Sequence, residues 1–411
     1  MSAKPEPGAP APAPAHPGRA LAVLCAIFFS AGFLMAAIGP VLPALSARTG
    51  ASLSVMGRLM SAIFLGSLAA QFVSGWASDR FGRRVVLAVG LALLAGTGLV
   101  IAFATALPLT LAAGIVYGIG YGAFSLSGNV MTSELVPARR ASAVNLVNMF
   151  FGVGAVVGPL VVSVLLRRTG AALPALWMGA GLLAAAAVAA RIALPARLPA
   201  SHDEAPASAE AGAGTGAQRP PSLRDPMLLA CGIFLMLYVG SEMAAGAWTA
   251  VYLHQSAGMN EARSAAATSL FWAMLTMGRI GAVVGGMRIT AEHLLTSAVW
   301  ITCAGAALLW AGHGSAAASV TAFAILGFGY GPIYPTGVAV LTSRFPQAAG
   351  TATSQMGVLA ASGGALLPWI HGLVLAHRPT ADSALLTLGV AVAMIVAWEC
   401  TRRLARRAPA R

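Results

Sequence analysis

Twelve apolar runs follow one another along the chain, at roughly 20–45, 54–77, 84–105, 109–133, 143–167, 173–190, 228–253, 264–287, 294–312, 316–343, 351–376 and 382–400. A helix needs about 20 residues to cross the hydrocarbon core of a bilayer, and every run is close to that length or beyond it. A chain that is apolar in so many bilayer-length pieces has no water-facing surface to build around them. Only 9% of its 411 residues are charged and 58% are hydrophobic, against roughly 25% charged in a soluble domain. A β-barrel would show short alternating segments. These runs are continuous and rich in Gly and Ala, residues that let helices pack closely in lipid. The sequence therefore predicts an all-α integral membrane protein with twelve transmembrane helices, and the lipid bilayer is its first partner.

Lys and Arg collect in cytoplasmic loops, which sets the orientation. With the N-terminus inside, nineteen of the twenty-five Lys and Arg fall on the cytoplasmic side, leaving Arg48, Arg58, Arg167, Arg168, Arg263 and Arg378 outside. Both termini are then cytoplasmic. The net charge of +13 is a topological address, not a soluble basic face for nucleic acid. Residues 1–18 are Pro- and Ala-rich and lack the short apolar core and cleavage site of a signal peptide, so they read as a disordered cytoplasmic tail. A polar Gly/Ala/Ser tract makes 196–225 a cytoplasmic linker between two six-helix bundles, 19–195 and 226–403, with 404–411 as a second tail. Two such halves fit a parallel pseudo-repeat that rocks about a midplane cavity. Because one chain holds both halves, a monomer is enough for function. Cys25, Cys231, Cys303 and Cys400 show no CxxC spacing and point to neither a disulfide framework nor a metal site.

Between the second and third runs, residues 75–84 read Gly-Trp-Ala-Ser-Asp-Arg-Phe-Gly-Arg-Arg. Asp79 beside Arg80, Arg83 and Arg84 can form a charge-assisted latch at the cytoplasmic mouth that locks one rocking state. Gly75 and Gly82 are expected to serve a tight turn and close helix approach. The plainer reading is that the arginines only mark topology, which by itself needs neither Asp79 nor the glycines. The run, G-x-x-x-D-R-x-G-R-R, resembles the signature of the major facilitator superfamily. Further matches lie at Asn145-Leu146, Phe150-Phe151-Gly152, Gly154-Ala155 and Gly158-Pro159, and at Tyr238 to Glu242 with Trp248 and Tyr252. Ser269 to Trp272 with Gly278-Arg279, and Gly329 to Pro335, complete them. Together they look most similar to the sugar-transporting branch near the fucose and glucose proton symporters. The resemblance implies the major facilitator fold and secondary transport of a small polar solute, a sugar or sugar-like compound, by alternating access. In the second half, Gly278 to Arg288 is a degraded copy of the signature without its Asp.

Of twelve acidic residues, Glu242 alone sits in mid-span. A carboxylate there costs at least a few kcal/mol, so it should face an internal cavity and exchange a proton, as a coupling group does; a Glu hydrogen-bonded for good between two helices is the structural alternative. At about 100° per residue, Tyr238, Ser241, Glu242, Trp248 and Tyr252 share one face of the seventh span, a stripe that suits either a polyhydroxylated solute or plain packing. Trp272, Thr276 and Arg279 share a face of the eighth span, and Asn145 and Asn148 one of the fifth. Asn129, Tyr330, Tyr334 and Gln355 add candidate hydrogen-bonding groups for the solute. Arg58 and Arg279 can each contact an anionic solute, although snorkelling to the interface is the commoner use of such a cation.

The chain also departs from the sugar symporters it resembles. Those carry an acid in the first span and another in the fourth, whereas here 20–45 has none, the fourth-span position falls on Ser125, and Glu134 lies at the cytoplasmic end. Coupling would rest on Glu242 alone or be absent, leaving a facilitator or an exporter of a more apolar compound. No Walker motif, nucleophile elbow or metal constellation is present in the sequence, so neither an enzyme nor a bound cofactor is expected and a proton gradient is left as the energy source. An exporter of drugs or metabolites, an organic-anion transporter and a transporter-like nutrient sensor remain as alternatives. The short loops and Ala/Gly/Arg-rich style fit a bacterial inner membrane.

Overall fold

The computed structural model describes residues 17–194, 225–286, 288–343 and 349–407. The first half comprises α1 (Pro17–Thr49), α2 (Leu53–Phe81), α3 (Arg83–Phe103), α4 (Leu107–Leu135), α5 (Arg140–Thr169) and α6 (Pro174–Ala193). The second comprises α7 (Pro226–Ala257), α8 (Glu261–Gly285), α9 (Ala291–Ala311), α10 (Ala316–Tyr330), α11 (Ile333–Thr342), α12 (Ala349–His377) and α13 (Thr380–Arg407). They supply twelve spans long and apolar enough to cross a membrane, and no strand occurs among the described residues. The outward surface is apolar, with Phe72 68% and Ile192 74% exposed, as a lipid-facing surface requires. With twelve crossings, Pro17 and Arg407 lie on one side of the bundle, hereafter the terminal side.

Most helices run beyond the apolar stretches that announce them. The 33 residues of α1 measure about 50 Å, well over the hydrocarbon thickness. The tail expected at 1–18 and the linker expected at 196–225 fall almost wholly outside the described residues. Pro17 already belongs to α1, and Asp225 caps α7 by accepting from the amides of Met227 and Leu228 at 2.9 and 3.3 Å, with Pro226 at the first helical position. The tail expected from 404 is helical as far as Arg407. The tenth span is not one helix. It breaks at Gly331-Pro332, where proline has no amide to continue the ladder and α11 starts afresh.

Contacts between helices expose the internal repeat. In the first half α1 packs on α5 and α2 on α4; in the second, α7 packs on α12 and α8 on α10. Across the halves the partners are exchanged, α2 against α12 and α5 against α8, with α1 against α7 on the axis. The repeat extends to single positions. A Cβ at Gly154 of α5 would overlap the backbone of Phe29 on α1, and one at Gly363 of α12 the backbone of Met236 on α7. Gly363→Val should lower the unfolding midpoint in detergent by an amount corresponding to about 2 kcal/mol or more, because backbone rather than a yielding side chain blocks the added carbons. Gly75→Ala, whose new Cβ meets nothing within 4 Å, should leave it unchanged or slightly raised.

Candidate functional site

Glu242 on α7 is 5% exposed, and its Oε1 lies 3.6 Å from Nη2 of Arg279 on α8. An unpaired carboxylate at this depth would be costly, and the guanidinium is what neutralises it. Arg279 therefore reaches inward to Glu242 and does not snorkel to the interface, as its position near the end of a span led one to expect. Gly331, at the tenth-span break, lies so close to α8 that a Cβ there would come within 2.7 Å of the Arg279 amide nitrogen. The guanidinium extends toward α7.

The pair forms one wall of a cavity of about 160 Å³ between the halves. Phe28 of α1, Tyr121 and Phe124 of α4, Phe151 of α5 and Trp272 of α8 give it five aromatic faces, with Met35, Met243 and Leu275 between them. Phe28 meets Phe124 edge-on at 4.8 Å between ring centroids. Apart from the Tyr121 and Trp272 polar tips, the remaining polar side chains on the wall are Ser125 and Asn148. On the side away from the termini α1 and α7 come into close contact. Gly39 of α1 presses on the carbonyl of Gly246 of α7, where a Cβ would come within 2.5 Å of the oxygen, and the Trp272 indole lies against Gly246 itself.

The candidates read from the sequence separate into two groups. Glu242, Arg279, Asn148 and Trp272 line the cavity, and Asn129 stands behind Asn148, accepting from its Nδ2 at 2.8 Å. The rest of the seventh-span stripe turns into its own half. Tyr238 sits beside the Glu242–Arg279 pair and packs on Tyr330 at 5.9 Å and Tyr334 at 6.4 Å, while Ser241 neighbours Tyr330. Trp248 donates from Nε1 to the Pro368 carbonyl at 2.7 Å and fills the space beside Gly57 and Gly372, and Tyr252 meets Phe323 edge-on. Thr276 bonds back to the Trp272 carbonyl at 3.0 Å and abuts Gly152, Asn145 is exposed, and Gln355 is on α12 away from the cavity. Arg58 is exposed on α2, likewise off the wall. Tyr121 is the main residue that sequence reasoning missed. Its spacing of four from Ser125 and eight from Asn129 puts all three on one face of α4, the signal that would have found it.

The signature run forms a second polar cluster, on the terminal side. Gly82 takes φ 85° between α2 and α3, a left-handed turn that glycine tolerates best. Arg83 pairs with Glu134 at the end of α4, and Arg84 donates to the Arg191 carbonyl in the last turn of α6. Arg80 lies over the rings of Trp76 and Phe81 at 5.9 and 5.8 Å. These described arms bind the α2–α3 turn to its own half. The Asp79 side chain lies outside the described residues, and Gly75 makes no close helix approach, contrary to expectation.

A family model described as Major Facilitator Superfamily matches residues 24–368. The 4-hydroxybenzoate transporter PcaK of Acinetobacter baylyi is 33% identical over 152 residues, which take in 36% of this chain and 33% of that protein, so the chain spans about a third of the relative's length. Among solved structures, a point mutant of the nucleoside transporter NupG superposes with a TM-score of 0.75 at 14% identity, covering 93% of this chain and 99% of that one. A point mutant of the Escherichia coli fucose:proton symporter FucP gives 0.63 at 17% identity, covering 93% and 98%. At such identities these structures speak for the fold. For the ion pair, Arg279→Leu should cost about 2–4 kcal/mol in detergent unfolding by stranding a buried carboxylate, and Glu242→Gln about 1 kcal/mol. The double variant should unfold near Glu242→Gln alone, and simple additivity of the two losses would show that the groups do not sense each other.

Proposed function

The chain belongs to the major facilitator superfamily, a family of membrane transporters for small molecules, and we propose that its cargo is a small organic acid carried together with a proton. One observation carries this reading: the cation on the cavity wall, Arg279, is held by a carboxylate that can let it go. In the empty cavity Glu242 neutralises Arg279. An incoming carboxylate competes for the same guanidinium, and two carboxylates on one cation in an apolar-lined space leave a charge uncompensated. Glu242 relieves it by taking a proton. Cargo and proton then cross as a neutral pair while the aromatic faces hold the carbon skeleton.

The cavity is well below the roughly 300–1,000 Å³ of sites for drug-sized ligands, which favours a small cargo over a bulky lipophilic one. A sugar finds less support here than in the motif matches, since a ring of hydroxyls needs many polar partners and this wall offers few. The relative named for 4-hydroxybenzoate handles an aromatic carboxylate, which fits five aromatic faces and one arginine. The arginine count favours cytoplasmic termini, and in this reading the protein sits in a plasma membrane of bacterial type and works by alternating access.

In proteoliposomes, an electroneutral symporter should accumulate benzoate about tenfold per unit of inward pH gradient, at initial rates above those of protein-free vesicles. Glu242→Gln should keep benzoate exchange and lose the gradient-driven initial rate above that of protein-free vesicles. A gradient-driven initial rate undiminished in Glu242→Gln would remove Glu242 from the coupling.

A further inference from the structure

The amide of Asn148 has a single orientation available to it. Asn129 donates from Nδ2 to the Ser125 carbonyl at 2.7 Å, and a carbonyl can only accept, so Asn129 turns its Oδ1 toward Asn148. Asn148 must answer with Nδ2, at 2.8 Å, and the same Nδ2 is held a second time by the Val144 carbonyl at 2.9 Å. Both of its protons are used. Oδ1 of Asn148 is left as an acceptor without a partner among the described residues, on a residue that lines the cavity. Ordinary asparagine offers a ligand either a donor or an acceptor; this one, fixed by two backbone carbonyls, one of them through a neighbour, offers an acceptor alone.

Its placement relative to Arg279 follows from the helices. Gly152 of α5 abuts Thr276 of α8, where an added Cβ would lie 2.8 Å from the threonine hydroxyl. Asn148 is four residues before Gly152 and Arg279 three after Thr276, on helices that cross in opposite directions. Each is displaced about 5 Å toward the terminal side. The cation and the fixed acceptor therefore stand at one depth on facing helices, with the aromatic faces around them.

We propose that Asn148 reads a hydroxyl on the cargo, so that the favoured substrate is a hydroxylated organic acid with its carboxylate at Arg279 and its O–H donated to Asn148 Oδ1. This rests on the organic-acid reading above and sharpens it. Asn148 is then the specificity-determining residue, and Asn129 a positioning residue that acts through it.

Binding of benzoate, 3-hydroxybenzoate and 4-hydroxybenzoate to the purified full-length protein, by calorimetry or ligand-induced thermal shift, tests this without any mutation. At least one hydroxylated acid should bind about tenfold tighter than benzoate, the usual scale for one well-placed hydrogen bond in an enclosed site. In Asn148→Leu that ratio should fall to about one, whatever the change in benzoate binding itself. In Asn129→Ala, where the Asn148 amide is free to turn, the ratio should shrink with Asn148 still present. A purely structural role for either residue would weaken all three acids alike. Equal binding of the three acids to the wild type, as when a water keeps the Asn148 site, overturns the inference and leaves the organic-acid reading standing, as does a ratio unchanged in Asn148→Leu. Binding of none of them overturns both.

Discussion

A carboxylate and a guanidinium face each other at the depth of the membrane, Glu242 on α7 and Arg279 on α8, 3.6 Å apart. Neither is stable there alone, so each specifies where the other must be, and between them they fix the relation of α7 to α8 at the centre of the second half. They also leave the cavity neutral overall when it is empty. A pair of this kind is a weak source of stability and a good place to build a switch, because a second anion can take over the cation once the first acid is protonated. The aromatic walls keep the surroundings apolar enough for that exchange to matter.

The rest of the molecule holds this pair at a surface that two bodies can open and close. Exchange of partners between the repeats, α2 with α12 and α5 with α8, makes the contact between the halves alike on both sides of the axis. Glycines bring backbones together where side chains would force them apart, as at the Gly39–Gly246 contact beside the Trp272 ring. The signature run on the terminal side binds within the first half through Arg83 to Glu134 and Arg84 to the end of α6. These contacts stiffen the first half at its terminal end.

Much of the fold is legible in the sequence, because hydrophobic length is a local property that lipid enforces strictly. The twelve spans, the division into halves and the singular position of Glu242 are all readable from it. The break in the tenth span was hidden by an apolar run that continues through Gly331-Pro332, although proline marked it. The site was only half legible. Glu242 and Asn148 could be singled out as polar groups in lipid, but that Arg279 turns toward Glu242 is a tertiary fact. The stripe on α7, which suits a solute and plain packing alike, becomes readable only in the fold, where Trp248 bonds to α12 and Tyr252 packs on α10. The orientation of the Asn148 amide needed three residues on two helices, a constraint no periodicity records.

Whether the cargo carboxylate displaces Glu242 and obliges it to take a proton can be read from calorimetric binding of 4-hydroxybenzoate at one pH in buffers of different ionisation enthalpy. The slope gives the protons taken up per acid bound. Displacement requires an uptake approaching one proton in the wild type and close to none in Glu242→Gln, with the acid still bound. Binding without proton uptake in the wild type, or an uptake that persists in Glu242→Gln, would contradict it.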